Sequence, residues 1–139
     1  SIPTKIKHAV FLDAAVPNHG MSAKDLWSDL KNLRVKDGIA YFPWLKKDSK
    51  PPHDVPQSLS TLTEPVSYDD QLAMKLPASY VAFVEDSRAK DIMETTDPSW
   101  ANAKNRGWPT YVLKSDHNAQ RSHPIELADL IEKIISRDQ

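Results

Sequence analysis

Cysteine is absent from this 139-residue chain, and glycine is scarce, with 3 glycines against 11 prolines. Without cysteine the chain has no disulfide framework, no thiolate zinc site and no cysteine nucleophile, and this composition agrees with a cytoplasmic protein. Gly20, Gly38 and Gly107 stand too far apart to build a glycine-rich phosphate loop. This spacing excludes a dinucleotide-binding fingerprint and a P-loop, and we expect no cofactor.

An excess of charge of one sign is also lacking, because 18 lysines and arginines are scattered among 19 aspartates and glutamates. No basic block marks a nucleic-acid or membrane surface, so neither partner is expected. No apolar run is long enough to span a bilayer, and no charged-then-apolar signal peptide opens the sequence. His8, His19 and His53 lack the spacing of metal ligands, so we expect no metal site.

Three apolar runs are present, and each is continuous rather than alternating: His8–Asp13, Pro77–Val84 and Tyr111–Leu113. Such runs are typical of strands that are buried on both faces of a parallel sheet. Helical patterns follow these runs, so strands and helices alternate along the chain. The sequence therefore predicts one α/β domain with a parallel β-sheet and flanking helices.

The most distinct helical pattern lies near the carboxyl terminus. Its apolar residues recur at i, i+3, i+4, i+7 and i+8 and are Leu127, Leu130, Ile131, Ile134 and Ile135. Ser122 or His123 can cap this helix, and Pro124 suits its first turn. His123 is thereby interpreted as part of a helix start rather than as a catalytic residue.

Two further helices are predicted from their caps. Ser22 and Asp25 are spaced as in a capping box. The apolar face of the helix that they begin consists of Leu26, Trp27, Leu30 and Leu33. Asp97 can cap a second helix that ends at Arg106, and Gly107 is its expected left-handed stop.

Between the first and second predicted strands, residues 36–71 show no regular pattern. Prolines break any long element there, at positions 43, 51, 52, 56 and 65. The segment also carries Tyr41, Phe42, Trp44 and Leu45, which makes it too apolar for a disordered spacer. It folds either as a lid or as a surface loop with a small cluster of its own, and the sequence favours neither.

Polar side chains follow two of the predicted strands, where open α/β sheets place their ligands. Asp86 comes after the second strand and His117 after the third. On one sheet edge, a carboxylate beside an imidazole would orient the ring and stabilise its charged form, as a general base requires. Glu85 and Asp91 remain alternatives for the acid. A nucleophile is missing, because no G-x-S-x-G elbow occurs.

Three segments resemble the carboxyl-terminal half of an α/β-hydrolase of the esterase and hydroxynitrile-lyase branch. They read KHAVFLDAAVP, LPASYVAFVED and GWPTYVLKSDHNAQRSHPIELADLI, at residues 7–17, 76–86 and 107–131. The third is the most specific, because strand, histidine loop and final helix occur at family spacing. The resemblance implies that His117 is the general base, that Asp86 is its acid partner, and that residues 18–71 form a cap inserted in one hydrolase domain.

The same resemblance implies an apolar substrate pocket beneath the cap. The candidate lining residues are Ala14, Ala15, Trp27, Leu30, Phe42 and Trp44. The alternative is that the aromatic residues pack among themselves in a small cap core. The expected activity is serine-dependent hydrolysis of a small apolar ester or related acyl substrate. A lyase of the hydroxynitrile-lyase type and a non-catalytic interaction subunit are the alternatives.

The chain is also expected to be incomplete as a catalytic unit. Its three apolar strands need further strands beside them and helices on both faces, and the sequence supplies few helices. We therefore expect an amino-terminal half or a second chain to carry the G-x-S-x-G serine. This segment would pack against His8–Leu12 and place its serine within reach of His117.

Overall fold

The structure is a computed structural model, and it describes residues 3–27, 30, 32–45, 55–67, 71–85 and 96–137. The described strands are β1 (Ala9–Leu12), β2 (Arg34–Lys36), β3 (Ile39–Tyr41), β4 (Gln57–Ser58), β5 (Ala78–Val84) and β6 (Thr110–Lys114). The described helices are α1 (Ala23–Leu26), α2 (Ser60–Thr63), α3 (Gln71–Met74), α4 (Pro98–Asn105), α5 (Ala119–Ser122) and α6 (Pro124–Ser136), after a short 3₁₀ turn at Pro3–Lys5.

The chain forms two compact units. The first comprises Ser1–Val16 with Tyr68–Gln139, and the second comprises Pro17–Ser67. The second unit nearly coincides with the segment 18–71 that the sequence analysis assigns to a cap. Its role as a lid remains a prediction.

A parallel sheet with the strand order β1-β5-β6 forms the centre of the first unit. All three strands were predicted, and their parallel pairing confirms the general α/β class. Strand β5 lies between the other two and is buried at six of its seven residues, whereas all four residues of β1 are half-buried. Among the described residues, β1 pairs with a neighbour on one side only.

Helix α4 packs on this sheet and closes the core of the first unit. The core residues are Val16, Tyr80, Ala82, Val84, Trp100 and Ala103. Asp97 caps the helix by accepting the backbone N–H of Ser99 at 2.8 Å, and Gly107 follows with a φ of +74°. Both end signals were predicted from the sequence, and both are confirmed.

Helix α6 is also confirmed, with His123 at its N-cap position. Two residues of the predicted apolar stripe, Leu127 and Ile134, are buried. Ile135 is 44% exposed, so it belongs to the apolar stripe by its spacing but is not part of the buried face. A stripe at this spacing is wider than the line along which one helix meets a sheet, and Ile135 lies at its margin.

The second unit contains an antiparallel sheet with the order β2-β3-β4, which the sequence analysis did not predict. Asp37 and Gly38 join β2 to β3, both at positive φ (51° and 73°), as a two-residue hairpin turn of type I′ requires. The predicted helix after Ser22 is shorter than expected. It ends at Leu26, because Trp27 has extended backbone angles, and positions 28, 29 and 31 lie outside the described residues.

Candidate functional site

His117 forms a hydrogen bond with Asp13 at the carboxyl edge of the parallel sheet. Nδ1 of the imidazole lies 2.6 Å from Oδ2 of the carboxylate. The two residues follow the outer strands β1 and β6, so their side chains meet across the end of the central strand β5. Because an ionised carboxylate can only accept, His117 donates its Nδ1–H to Asp13. The pair lies where ligands bind in open α/β sheets.

The backbone at Asp13 directs its side chain toward β6. Its N–H still donates to the Val81 carbonyl at 2.7 Å, as a continuation of the β1–β5 ladder. Its φ is +45°, a left-handed value that aspartate tolerates better than most residues do. The other carboxylate oxygen accepts a long hydrogen bond, 3.4 Å, from the Phe83 N–H. Strand β5 therefore helps to orient the carboxylate.

His117 is more exposed than Asp13. A base must be accessible to the group that it deprotonates, whereas the residue that orients it need not be. The imidazole of His117 is 76% exposed, whereas the side chain of Asp13 is 24% exposed. The hydrogen bond to Asp13 keeps the ring proton on Nδ1, which leaves Nε2 to accept a proton from another group. In the described part of the chain, no hydrogen bond engages Nε2. The pair can thus perform general base chemistry.

Tyr80 is a buried residue of β5 whose hydroxyl is influenced by the charge of Asp13. Its side chain is 2% exposed, and its hydroxyl donates to Oδ2 of Asp97 at 3.2 Å. Burial raises the pKa of the Tyr80 hydroxyl, and the negative charges of Asp97 and Asp13 raise it further. Tyr80 therefore stays protonated, so it adds no third negative charge beside the two carboxylates.

This raised pKa gives an expected dependence of stability on pH. In the unfolded chain Tyr80 ionises near pH 10, whereas the folded chain retains the proton, so above about pH 10 the unfolded state binds fewer protons. Above that pH, the free energy of unfolding should fall by up to about 1.4 kcal/mol per pH unit. Below it, Tyr80 is protonated in both states and adds no dependence of the free energy of unfolding on pH. Tyr80→Phe should remove this part of the slope in urea denaturation at alkaline pH. An equally steep slope in the variant would contradict the assignment.

The predicted acid partners of His117 have different outcomes. Asp86 and Asp91 lie outside the described residues, so the roles assigned to them remain predictions. Glu85 is exposed at the end of β5, and the partner that His117 bonds is Asp13. Asp13 lies at the end of a predicted strand but was not among the predicted acids. Its position directly after a continuous apolar run was the signal that could have identified it.

The predicted pocket residues are distributed over both units. Ala14 and Ala15 belong to the first unit and directly follow Asp13, and both are half-buried. Within the second unit, the rings of Phe42 and Trp44 stack with centroids 4.6 Å apart, and Trp44 is 58% exposed. This stacking favours the alternative in which these two rings pack on each other. The half-buried residues Trp27 and Leu30 keep their pocket role only as a prediction.

The described residues contain no group of three or more histidine, aspartate or glutamate side chains arranged to hold a metal ion. Their helices are also too short or too polar to cross a membrane.

No family model, curated protein or solved structure matches this chain. The geometry of the Asp13–His117 pair is therefore the basis on which a function can be argued.

Proposed function

We propose that this chain supplies the base and the acid of a serine hydrolase that acts on an ester or related acyl substrate. His117 takes the proton of the serine hydroxyl at Nε2 while Asp13 holds the proton on Nδ1 and supports the positive charge that the ring acquires. The observation that carries the proposal is the 2.6 Å hydrogen bond between these two residues at the carboxyl edge of the parallel sheet.

The serine nucleophile comes, in this proposal, from a segment outside residues 1–139. The chain has no G-x-S-x-G elbow, and the exposed ring of His117 is open to a group from another segment. With that serine, Asp13 and His117 complete a catalytic triad. The sequence resemblance to the carboxyl-terminal half of an α/β-hydrolase supports His117 as the base and a serine from another segment, although it implies Asp86 rather than Asp13 as the acid.

The proposal is tested with a fluorophosphonate probe, which reacts with an activated serine. We expect rapid labelling when the chain is joined or combined with the segment that carries the elbow, and labelling at least about 10³-fold slower in His117→Gln. His19→Gln is the matched control, because His19 is an exposed histidine in the second unit. It should label at the native rate.

Failure to label the complete protein would contradict the serine hydrolase. Cleavage of a cyanohydrin without labelling, lost in His117→Gln, would then favour the lyase alternative. The absence of both reactions, with a stable complex between the chain and its partner segment, would favour a non-catalytic interaction subunit.

A further inference from the structure

The residues before and after His117 in the sequence form a hydrogen-bond network with one another. This network is separate from the hydrogen bond between His117 and Asp13. Asp116 directly precedes His117 and accepts, at Oδ1, the backbone N–H of Asn118 at 2.8 Å. This arrangement is an Asx turn that spans His117. The same Oδ1 accepts the Ser122 hydroxyl at 3.1 Å, which links the turn to helix α5. One carboxylate oxygen therefore restrains the backbone on the far side of His117.

Ser115 anchors this network to the parallel sheet. Its backbone N–H donates to the Val84 carbonyl at 3.0 Å, and its side chain is 4% exposed. The Ser115 hydroxyl lies 3.1 Å from Ser122 Oγ and 3.1 Å from His123 Nδ1. Ser122 Oγ also lies 3.0 Å from that Nδ1. Asp116 Oδ1 and the Asn118 carbonyl, which lies 3.4 Å from Ser122 Oγ, can both only accept. The single proton of Ser122 goes to the nearer of them, Asp116, and Ser122 accepts from Ser115 or His123.

We propose that Ser122 is a positioning residue that holds the His117 loop, through Asp116 and Ser115, in the conformation in which His117 meets Asp13. The inference rests on the proposed function, in which the imidazole must keep one tautomer and one orientation. The exposed ring of His117 has little packing to restrain it, so the restraint comes from the loop. Ser122 bonds both ends of that loop, Ser115 before His117 and the Asp116 turn around it.

The test is the tautomer of neutral His117, read by NMR from the imidazole ¹⁵N shifts of the labelled chain. In the native chain Asp13 keeps the proton on Nδ1, whereas a free imidazole favours Nε2. Ser122→Ala should lower the ratio of the Nδ1–H to the Nε2–H tautomer roughly three- to tenfold, because one hydrogen bond of the network is lost. Ser122→Thr, which retains the hydroxyl, should keep the native ratio.

The matched control is Ser136→Ala, since the Ser136 hydroxyl donates to the Glu132 carbonyl within α6. An unchanged ratio in Ser122→Ala, or an equal change in Ser136→Ala, would overturn the proposal. If Ser122→Ala unfolds at the measuring temperature, Asp116→Ala replaces it, because it removes the acceptor of that bond together with the acceptor of the Asn118 N–H in the same turn. The measurement needs no substrate, so its outcome is independent of whether the complete protein is labelled by the fluorophosphonate probe.

Discussion

Asp13→Asn is expected to lower the kcat of ester hydrolysis by the complete protein roughly 10³- to 10⁴-fold. The asparagine amide can donate to Nδ1, which favours the imidazole tautomer with its proton on Nε2, and that tautomer cannot act as the base. Asparagine also tolerates the left-handed φ of +45° at this position, so the change isolates the carboxylate from backbone strain. Steady-state kinetics on a chromogenic ester measure the effect.

The matched change is Asp86→Asn, at the acid that the sequence resemblance implies. With Asp13 as the partner of His117, this variant should lose less than about tenfold in kcat. The reverse result, a large loss in Asp86→Asn and a small one in Asp13→Asn, would return the role of the acid to Asp86. Circular dichroism of both variants would show whether the fold is retained.

The strands of the first unit could be predicted because each is a continuous apolar run, although only β5 is buried along most of its length, whereas β1 and β6 are mainly half-buried. A strand covered on both faces is apolar throughout, and β5 follows this rule closely. The ends of α4 could also be predicted from the sequence. Asp97 accepts a backbone N–H of the first turn, and Gly107 adopts a positive φ, and few other residue types suit these two positions. The hairpin in the second unit was not predicted, although Asp37-Gly38 is a strong local turn signal. The prolines at positions 43, 51, 52, 56 and 65 indicated a segment without regular structure.

The partner of His117 could not be predicted in the same way. Carboxylates follow both β1 and β5, and a sequence pattern does not say which of them reaches the third strand end. In the structure, the choice of Asp13 depends on one positive φ and on a side chain that crosses the end of β5. Neither the positive φ nor the direction of the side chain produces a repeating pattern in the sequence. The candidate base was thus predictable from its strand-end position, whereas its acid partner required the three-dimensional strand order.

Two side chains in the first turns of helix α4 form hydrogen bonds with the backbone of Val16, which follows the candidate acid Asp13 in the sequence. Ser99 Oγ accepts the Val16 N–H at 3.2 Å, and Asn102 Nδ2 donates to the Val16 carbonyl at 2.8 Å. Val16 is 1% exposed and lies three residues after Asp13. The packing that holds α4 on the sheet therefore also limits the movement of the Asp13 backbone.

Trp100 of α4 has the largest of the fully buried side chains in the described part of the chain, so Trp100→Ala is expected to lower the free energy of unfolding by about 3–5 kcal/mol. The ring is 1% exposed and meets Tyr80 edge to face, with centroids 6.2 Å apart. Its indole N–H is buried without an acceptor among the described residues, so Trp100→Phe should cost less, because it removes an unsatisfied donor. Ile125→Ala, at a 71% exposed residue of α6, should change stability by less than about 0.5 kcal/mol. Urea denaturation of the three variants measures these differences, and a cost below about 1 kcal/mol for Trp100→Ala would contradict a core role for this helix.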